Sequence, residues 1–333
     1  MTRLLPILLI AAVVGLSACG TRSENTSGGP ARSLTLMLDF FPNADHAAIY
    51  QAVGDGEFRR AGLDVHIQQP GDAATPLKLL AAGRADLAIS YEPEVLLARD
   101  KGAKLVSIAA LVQRPLTSII ALGSSNVHGP ANLENHTVGD AGIPYQHAYL
   151  QEMLKQAGAD PGKVKEVNVG FNLVPALLSK KVYAIMGGYW NYEGIQLKRK
   201  HKNPTIIPVD KAGVPTYDEL VIVAREDELG PKAALFRRFL QALSRSATAL
   251  RNNPAQGVDA LMQANPDLDR SLQEASVKAT MPAFFPSDST KPWGWQDTRA
   301  WARFSKWMYD NQLLKQPATP QAVNNDLLPG QGF

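Results

Sequence analysis

From position 33 onward, short apolar runs alternate with longer segments in which apolar residues recur every three or four positions. A run of four to eight buried-type residues suits a strand covered on both faces, and a 3.6-residue repeat suits a helix with one face on a core. In the first part of the chain, strands are expected at Leu34 to Leu38, Val65 to Gln68, Asp86 to Ser90, Leu105 to Val112 and Ser118 to Leu122. Helices are expected over Ala47 to Arg60 with Gly62 as the stop, over Pro76 to Ala82, and over Pro93 to Lys101 closed by Gly102. Gly123 to His136 is turn-rich around Gly129-Pro130 and reads as a crossing into a second unit. There the pattern resumes, with strands at Thr137 to Ala141, Val164 to Asn168, Val182 to Met186, Ile206 to Val209 and Leu220 to Ala224, and helices at Tyr145 to Ala157 and Pro175 to Ser179. From Pro231 the text is helical, ending at Thr298 to Leu313, where Trp301, Phe304 and Met308 form an apolar stripe that belongs in a core. Such alternation specifies an α/β fold with mostly parallel sheets. Leu80 to Lys101 and Leu178 to Lys200 repeat one plan of small and basic residues, apolar strand, aromatic-acidic cluster and basic-ended helix, which indicates two lobes of like construction.

Composition narrows the class. With 333 residues, 45% hydrophobic and 20% charged, the chain can fill two cores and is neither disordered nor a polytopic membrane protein. Its 34 basic against 31 acidic residues leave a net charge of +3, too small a field to make nucleic acid the partner. Met1 to Arg3 followed by the apolar run Leu4 to Val14 has the form of an export signal, and Leu16-Ser17-Ala18-Cys19-Gly20 resembles the lipobox of a bacterial lipoprotein. The expected organisation is a signal peptide over 1–18, a lipidated tether over 19–32 beginning at Cys19, a first lobe over 33–122 and 225–333, and a second lobe over 123–224. Cys19 is the single cysteine, so the body has no disulfide and no thiol nucleophile.

In open α/β sheets, ligands bind beyond the carboxyl ends of the strands. Four junctions of that kind are legible: Asp39 to Asn43, Ser90 to Glu94, Gly142 to Tyr145, and Gly187 to Glu193. Aromatic residues are only 7% of the chain, yet these loops carry Phe40, Phe41, Tyr91, Tyr145, Tyr189, Trp190 and Tyr192, interleaved with Asp39, Asn43, Glu92, Asn191 and Glu193. Aromatics with carboxylates and amides suit a flat, polar, nitrogen-bearing ring: faces stack, and an acid reads an amine. His46 can reach the same cleft from the first turn of its helix. The run Lys198 to Lys202 reads as a solvated helix end. Zinc-protease, phosphate-loop and nucleophile-elbow motifs are not found.

These passages, with Gln113-Arg114-Pro115, Gly170-Phe171-Asn172-Leu173-Val174-Pro175 and Gly213-Val214-Pro215-Thr216-Tyr217-Asp218-Glu219-Leu220, resemble the thiamine-precursor solute-binding proteins, a family that also holds the fungal pyrimidine synthases. The resemblance implies a type II periplasmic-binding-protein fold, with two α/β lobes joined by a two-crossing hinge. It implies a monomeric, lipid-anchored protein of the periplasm or the outer face of the bacterial cytoplasmic membrane, which delivers a formylaminopyrimidine or hydroxymethylpyrimidine to an ABC permease without a cofactor. Glu193 would read the aminopyrimidine edge and Tyr189 and Trp190 would wall the ring. Asn43, Tyr91 and Tyr145 would complete the pocket, with Asp39, Phe40, His46, Glu92, Asn191 and Tyr217 beside them. The family usually has Trp where this chain has Phe40, which removes an indole N–H from that wall. Two other readings stay open: a binding protein for a sulfonate, nitrate or aromatic acid, and a pyrimidine synthase. The synthases are associated with an iron site rich in cysteine, a lysine that carries pyridoxal phosphate and a histidine consumed in the reaction. Here Gly213 to Glu219, Ser90 and Glu94 stand at those places.

Overall fold

The computed structural model describes residues 31–318 and 320–331. The expected signal peptide, Cys19 and nearly all of the tether lie outside the described residues.

The first lobe opens with β1 (Arg32–Met37), followed by α1 (Ala47–Gly54), α2 (Glu57–Arg60), β2 (Leu63–Gln68), α3 (Pro76–Ala81), β3 (Leu87–Ser90), α4 (Glu92–Asp100) and β4 (Leu105–Val112). The single helix expected over 47–60 is two, because Gly56 takes a left-handed φ of 72° between them. The chain then enters β5 (Thr117–Ala121), β6 (Thr137–Asp140), α5 (Pro144–Gln156), β7 (Lys165–Asn168), α6 (Leu173–Leu178), β8 (Ala184–Tyr189), α7 (Glu193–Arg199) and β9 (Thr205–Pro208). It returns through β10 (Leu220–Arg225) to α8 (Ala233–Asn252), α9 (Pro254–Ala264), α10 (Arg270–Thr280) and α11 (Thr298–Asp310).

The strands build two five-stranded sheets of matching order, β2-β1-β3-β10-β4 and β7-β6-β8-β5-β9. In each sheet four strands share a direction, and one, β10 or β5, runs against its neighbours. That reversed strand is in both cases the first strand after the chain has crossed from the other lobe. The repeated plan seen in the sequence is α3-β3-α4 and α6-β8-α7, with β3 and β8 at the centre of their sheets.

This topology corrects the expected lobe boundaries. β5 belongs to the second sheet and β10 to the first, so the crossings lie at 113–116 and 209–219, and not near 123 and 224. Gly129-Pro130 merely opens a 3-10 turn inside the second lobe. Both β5 and nearly all of β10 are buried, so their apolar runs carry no alternation that could tell one sheet from the other. One continuous apolar core runs through both lobes and the hinge, and a smaller cluster around Leu173, Leu177 and Ile185 fills the far side of the second sheet. The stripe on α11 is core as expected, with Trp301, Phe304 and Met308 each at most 4% exposed. Among the described residues, no helix is long and apolar enough to cross a membrane.

Candidate functional site

The carboxyl ends of β1 and β3 face those of β6 and β8 across a cleft of about 380 Å³, counting the part that opens to solvent. The first lobe lines it with Asp39, Phe40, Asn43 and Tyr91. Asp39, buried just past β1, accepts the Tyr91 O–H at 2.9 Å on one oxygen and meets His46 Nε2 at 2.9 Å on the other. The Asn43 N–H points at His46 Nδ1 at 3.3 Å, so the ring accepts there and donates from Nε2 to Asp39. His46 therefore stands behind the wall and aims the carboxylate. Asn43 caps the turn that follows, accepting the Asp45 N–H at 2.9 Å and donating to the Phe41 carbonyl at 3.0 Å. Burial and the neighbouring Asp39 push the Tyr91 phenol far above its ordinary range, so it remains a donor.

The second lobe answers with Ala141, Ile143, Gln146, Leu173, Gly187, Tyr189, Tyr192 and Glu193. Glu193 opens α7 and is 8% exposed; one of its oxygens accepts the Tyr189 N–H at 2.8 Å. Desolvation by burial raises its carboxyl to about 7, and the backbone hydrogen bonds only partly offset that. Gly187 adopts φ 89°, a left-handed conformation open to glycine, just before the strand ends at Tyr189. Aromatic rings close the mouth: Phe40 meets the edge of Phe171 with centroids 4.4 Å apart, and Phe41 lies 6.0 Å from Tyr192. The lining carries two carboxylates, three phenols and two amides, and has neither lysine nor arginine.

A family model described as "NMT1/THI5 like" matches residues 43–257. The chain belongs to the NMT1/THI5-like family. Within reach of this family, it is 32% identical to the formylaminopyrimidine-binding protein of Halalkalibacterium halodurans over 95% of its own length and 96% of that protein. It is 24% identical to a 4-amino-5-hydroxymethyl-2-methylpyrimidine phosphate synthase of Legionella pneumophila over 75% of its length and 79% of that enzyme. Among solved structures, the alkanesulfonate-binding protein SsuA from Xanthomonas axonopodis superposes at a TM-score of 0.68, with 15% identity over 89% of this chain and 99% of the other. The fold of this NMT1/THI5-like protein is that of the type II periplasmic-binding proteins.

Six residues expected in the pocket of this family member stand elsewhere, and the structure gives each another task. His46 is the support for Asp39 just described. Trp190 was expected to wall the ring; its indole N–H instead donates to the Pro115 carbonyl at 3.0 Å and its backbone N–H to Leu116 at 3.1 Å, which fastens the loop to the first crossing. Tyr145 and Tyr217 are drawn to Glu219, a buried carboxylate that also accepts the Thr117 N–H at 2.8 Å and the Thr117 hydroxyl at 2.8 Å. Glu219 thereby ties the second crossing to the first. Glu92 accepts the Asp218 N–H at 2.7 Å and braces the second crossing from α4. Asn191 reaches from the second lobe to Asp45 at 2.8 Å and Thr280 at 2.6 Å on the first, a clasp across the cleft.

Ile143 and Tyr192, from two of the expected ligand junctions, also line the cleft; Ala141, Gln146 and Leu173 line it without having been candidates, and Phe171 meets Phe40 at its mouth. The Gly187-Gly188 pair marks where backbone and side chains approach closely, but the partner of that approach is not legible from it.

Proposed function

We propose that the protein is the solute-binding component of an ABC-type importer and captures an aminopyrimidine precursor of thiamine between its lobes. The observation that carries this reading is the buried Glu193 facing a cleft whose lining holds acids and aromatic rings and no base. An exocyclic amine donates to a carboxylate in a charge-assisted hydrogen bond, and the ring lies against Phe40, Tyr91 and Tyr189. The relationship to a formylaminopyrimidine-binding protein over nearly the whole chain supports the same ligand class. A sulfonate or nitrate would need convergent cationic or N–H donors, and Asp39 and Glu193 would repel it.

The synthase reading is disfavoured by the donor set. The segment 213–219 has no thiol, its Asp218 is engaged by Glu92 and Trp301, and its Glu219 is the hinge tie, so these residues do not fit an iron site. Ser90 offers no amine for an aldehyde cofactor. The importer role carries with it a permease as partner, a periplasmic or outer-face location, a monomeric chain, and lipid anchoring at Cys19. The mass of the mature N-terminus tests the last point: Cys19→Ser should leave an unlipidated precursor, and normal anchoring of that variant contradicts it.

The decisive experiment is calorimetric titration with 4-amino-5-hydroxymethyl-2-methylpyrimidine and its formylated relatives. Glu193→Gln should weaken binding at least about tenfold, since the amine loses a charged acceptor. Unchanged affinity removes Glu193 from the site.

A further inference from the structure

Gln146 is the third residue of α5, is 2% exposed, and sits on the second-lobe wall of the cleft. Its carbonyl oxygen accepts the Ala141 N–H at 2.9 Å, which fixes the orientation of the amide. The NH2 end lies over the Cα of Gly187, where any Cβ would overlap the Gln146 amide. Glycine at 187 is thus required twice, by its φ and by the side chain resting on it. Among the described residues Gln146 Nε2 has no acceptor. Anchoring Ala141 needs only the oxygen; the NH2 group is a donor at the cleft wall that no protein acceptor satisfies and that water or a ligand acceptor can meet.

We propose that Gln146 selects for a hydrogen-bond acceptor on the ligand, so that the cleft takes a heterocycle whose ring nitrogen accepts from Gln146 while its amine donates to Glu193. This rests on the aminopyrimidine reading and sharpens it. The wall offers one fixed donor and one fixed acceptor, and a 4-aminopyrimidine presents the complement. A pyrimidinone, with a ring N–H and a carbonyl in place of ring nitrogen and amine, presents the reverse and is rejected, because both groups on the protein are then opposed by their own kind.

The test is calorimetry with 4-amino-5-hydroxymethyl-2-methylpyrimidine and the two analogues in which one ring nitrogen is replaced by C–H. Wild-type protein should bind the parent at least about tenfold more tightly than one of the analogues. In Gln146→Leu that gap should close to less than about threefold, with the affinity for the discriminated analogue little changed. Gln146→Glu keeps an acceptor for Ala141 and should still weaken the parent at least about tenfold above pH 7, which separates loss of the donor from loss of the fold. Equal weakening of parent and both analogues in Gln146→Leu, or parent affinity retained in Gln146→Glu, gives Gln146 a structural role only and overturns the proposal. A wild-type protein that binds the parent without discriminating the analogues overturns it as well, while the aminopyrimidine reading stands. Absence of any aminopyrimidine binding by wild type overturns both.

Discussion

At the scale of residues, the cleft depends on acids kept where their charge is expensive. Glu193 and Asp45 are both raised to about 7 by desolvation; Asp45 adds slightly to the shift of Glu193 across the cleft, and Asp39 adds to that of Asp45. Glu193, its carboxyl at about 7, holds neutral and ionised forms in comparable amounts in the free protein near neutrality, and the amine of the proposed ligand prefers the carboxylate. With a carboxyl near 7, the ionised fraction rises about tenfold between pH 6 and pH 8. Affinity for an aminopyrimidine should therefore strengthen by about that factor over this range and level off above it, and Glu193→Gln should flatten the profile; a profile that weakens with pH in wild type contradicts the role. The stability consequence has the opposite sign. Between its ordinary value of 4.5 and about 7, the native state holds a proton that the unfolded chain has lost, so unfolding free energy falls as pH rises through that window. Glu193→Gln should accordingly be more stable than wild type above pH 7 in urea titrations. In the proposed function, the residue is thus held for its ligand against folding.

How much of the site the sequence disclosed is also decided at this scale. Asp39, Phe40, Asn43, Tyr91, Tyr189 and Glu193 follow directly from being at the carboxyl ends of central strands, and these line the cleft. Tyr145 and Gln146 are neighbours on α5, and successive helical residues point about 100° apart. An aromatic in a ligand loop invites the reading that it faces the ligand; here Tyr145, with Tyr149 one turn on, faces the hinge, and the polar Gln146 faces the cleft. No local pattern distinguishes the two rotations, because both side chains are buried.

At the scale of elements, the two crossings are the feature that converts two lobes into one device. Each is short, and each delivers the reversed strand of the next sheet. Glu219 joins them: from the second crossing it accepts from the backbone and hydroxyl of Thr117 just beyond the first, and Tyr145 and Tyr217 lean on the same carboxylate. Burial raises its carboxyl in spite of these donors. Removing it leaves buried N–H and O–H groups without an acceptor, so Glu219→Ala should cost about 3 to 5 kcal/mol by chemical denaturation, and Glu219→Gln less. A change under about 1 kcal/mol would show the tie to be dispensable. Trp190 and Glu92 belong to the same joint through Pro115 and Asp218, which is why acid-aromatic loops that look like ligand loops are partly hinge.

At the scale of the whole molecule, the architecture was more legible than its division. Alternating strands and helices, and the repeat of one plan around β3 and β8, are local patterns and predict the paired α/β lobes. Which sheet a buried strand joins is a non-local matter. β4 and β5 are separated by only four residues, and consecutive strands usually pair; here Pro115 and the crossing send them to different sheets. The resulting molecule places the Asn191 clasp and the Phe40, Phe41, Phe171 and Tyr192 rings across the cleft mouth. In the proposed function, a ligand touching both walls favours this arrangement over an open one by its difference in affinity for the two.

What Glu193 touches decides the proposed function, and a crystal structure of the protein with 4-amino-5-hydroxymethyl-2-methylpyrimidine reads this directly. The expected result is a ring between the lobes, flanked by Phe40 and Tyr189, with its exocyclic amine within about 3.2 Å of the Glu193 carboxylate. A pyrimidine bound with that amine turned away from Glu193, or bound outside the cleft, contradicts it.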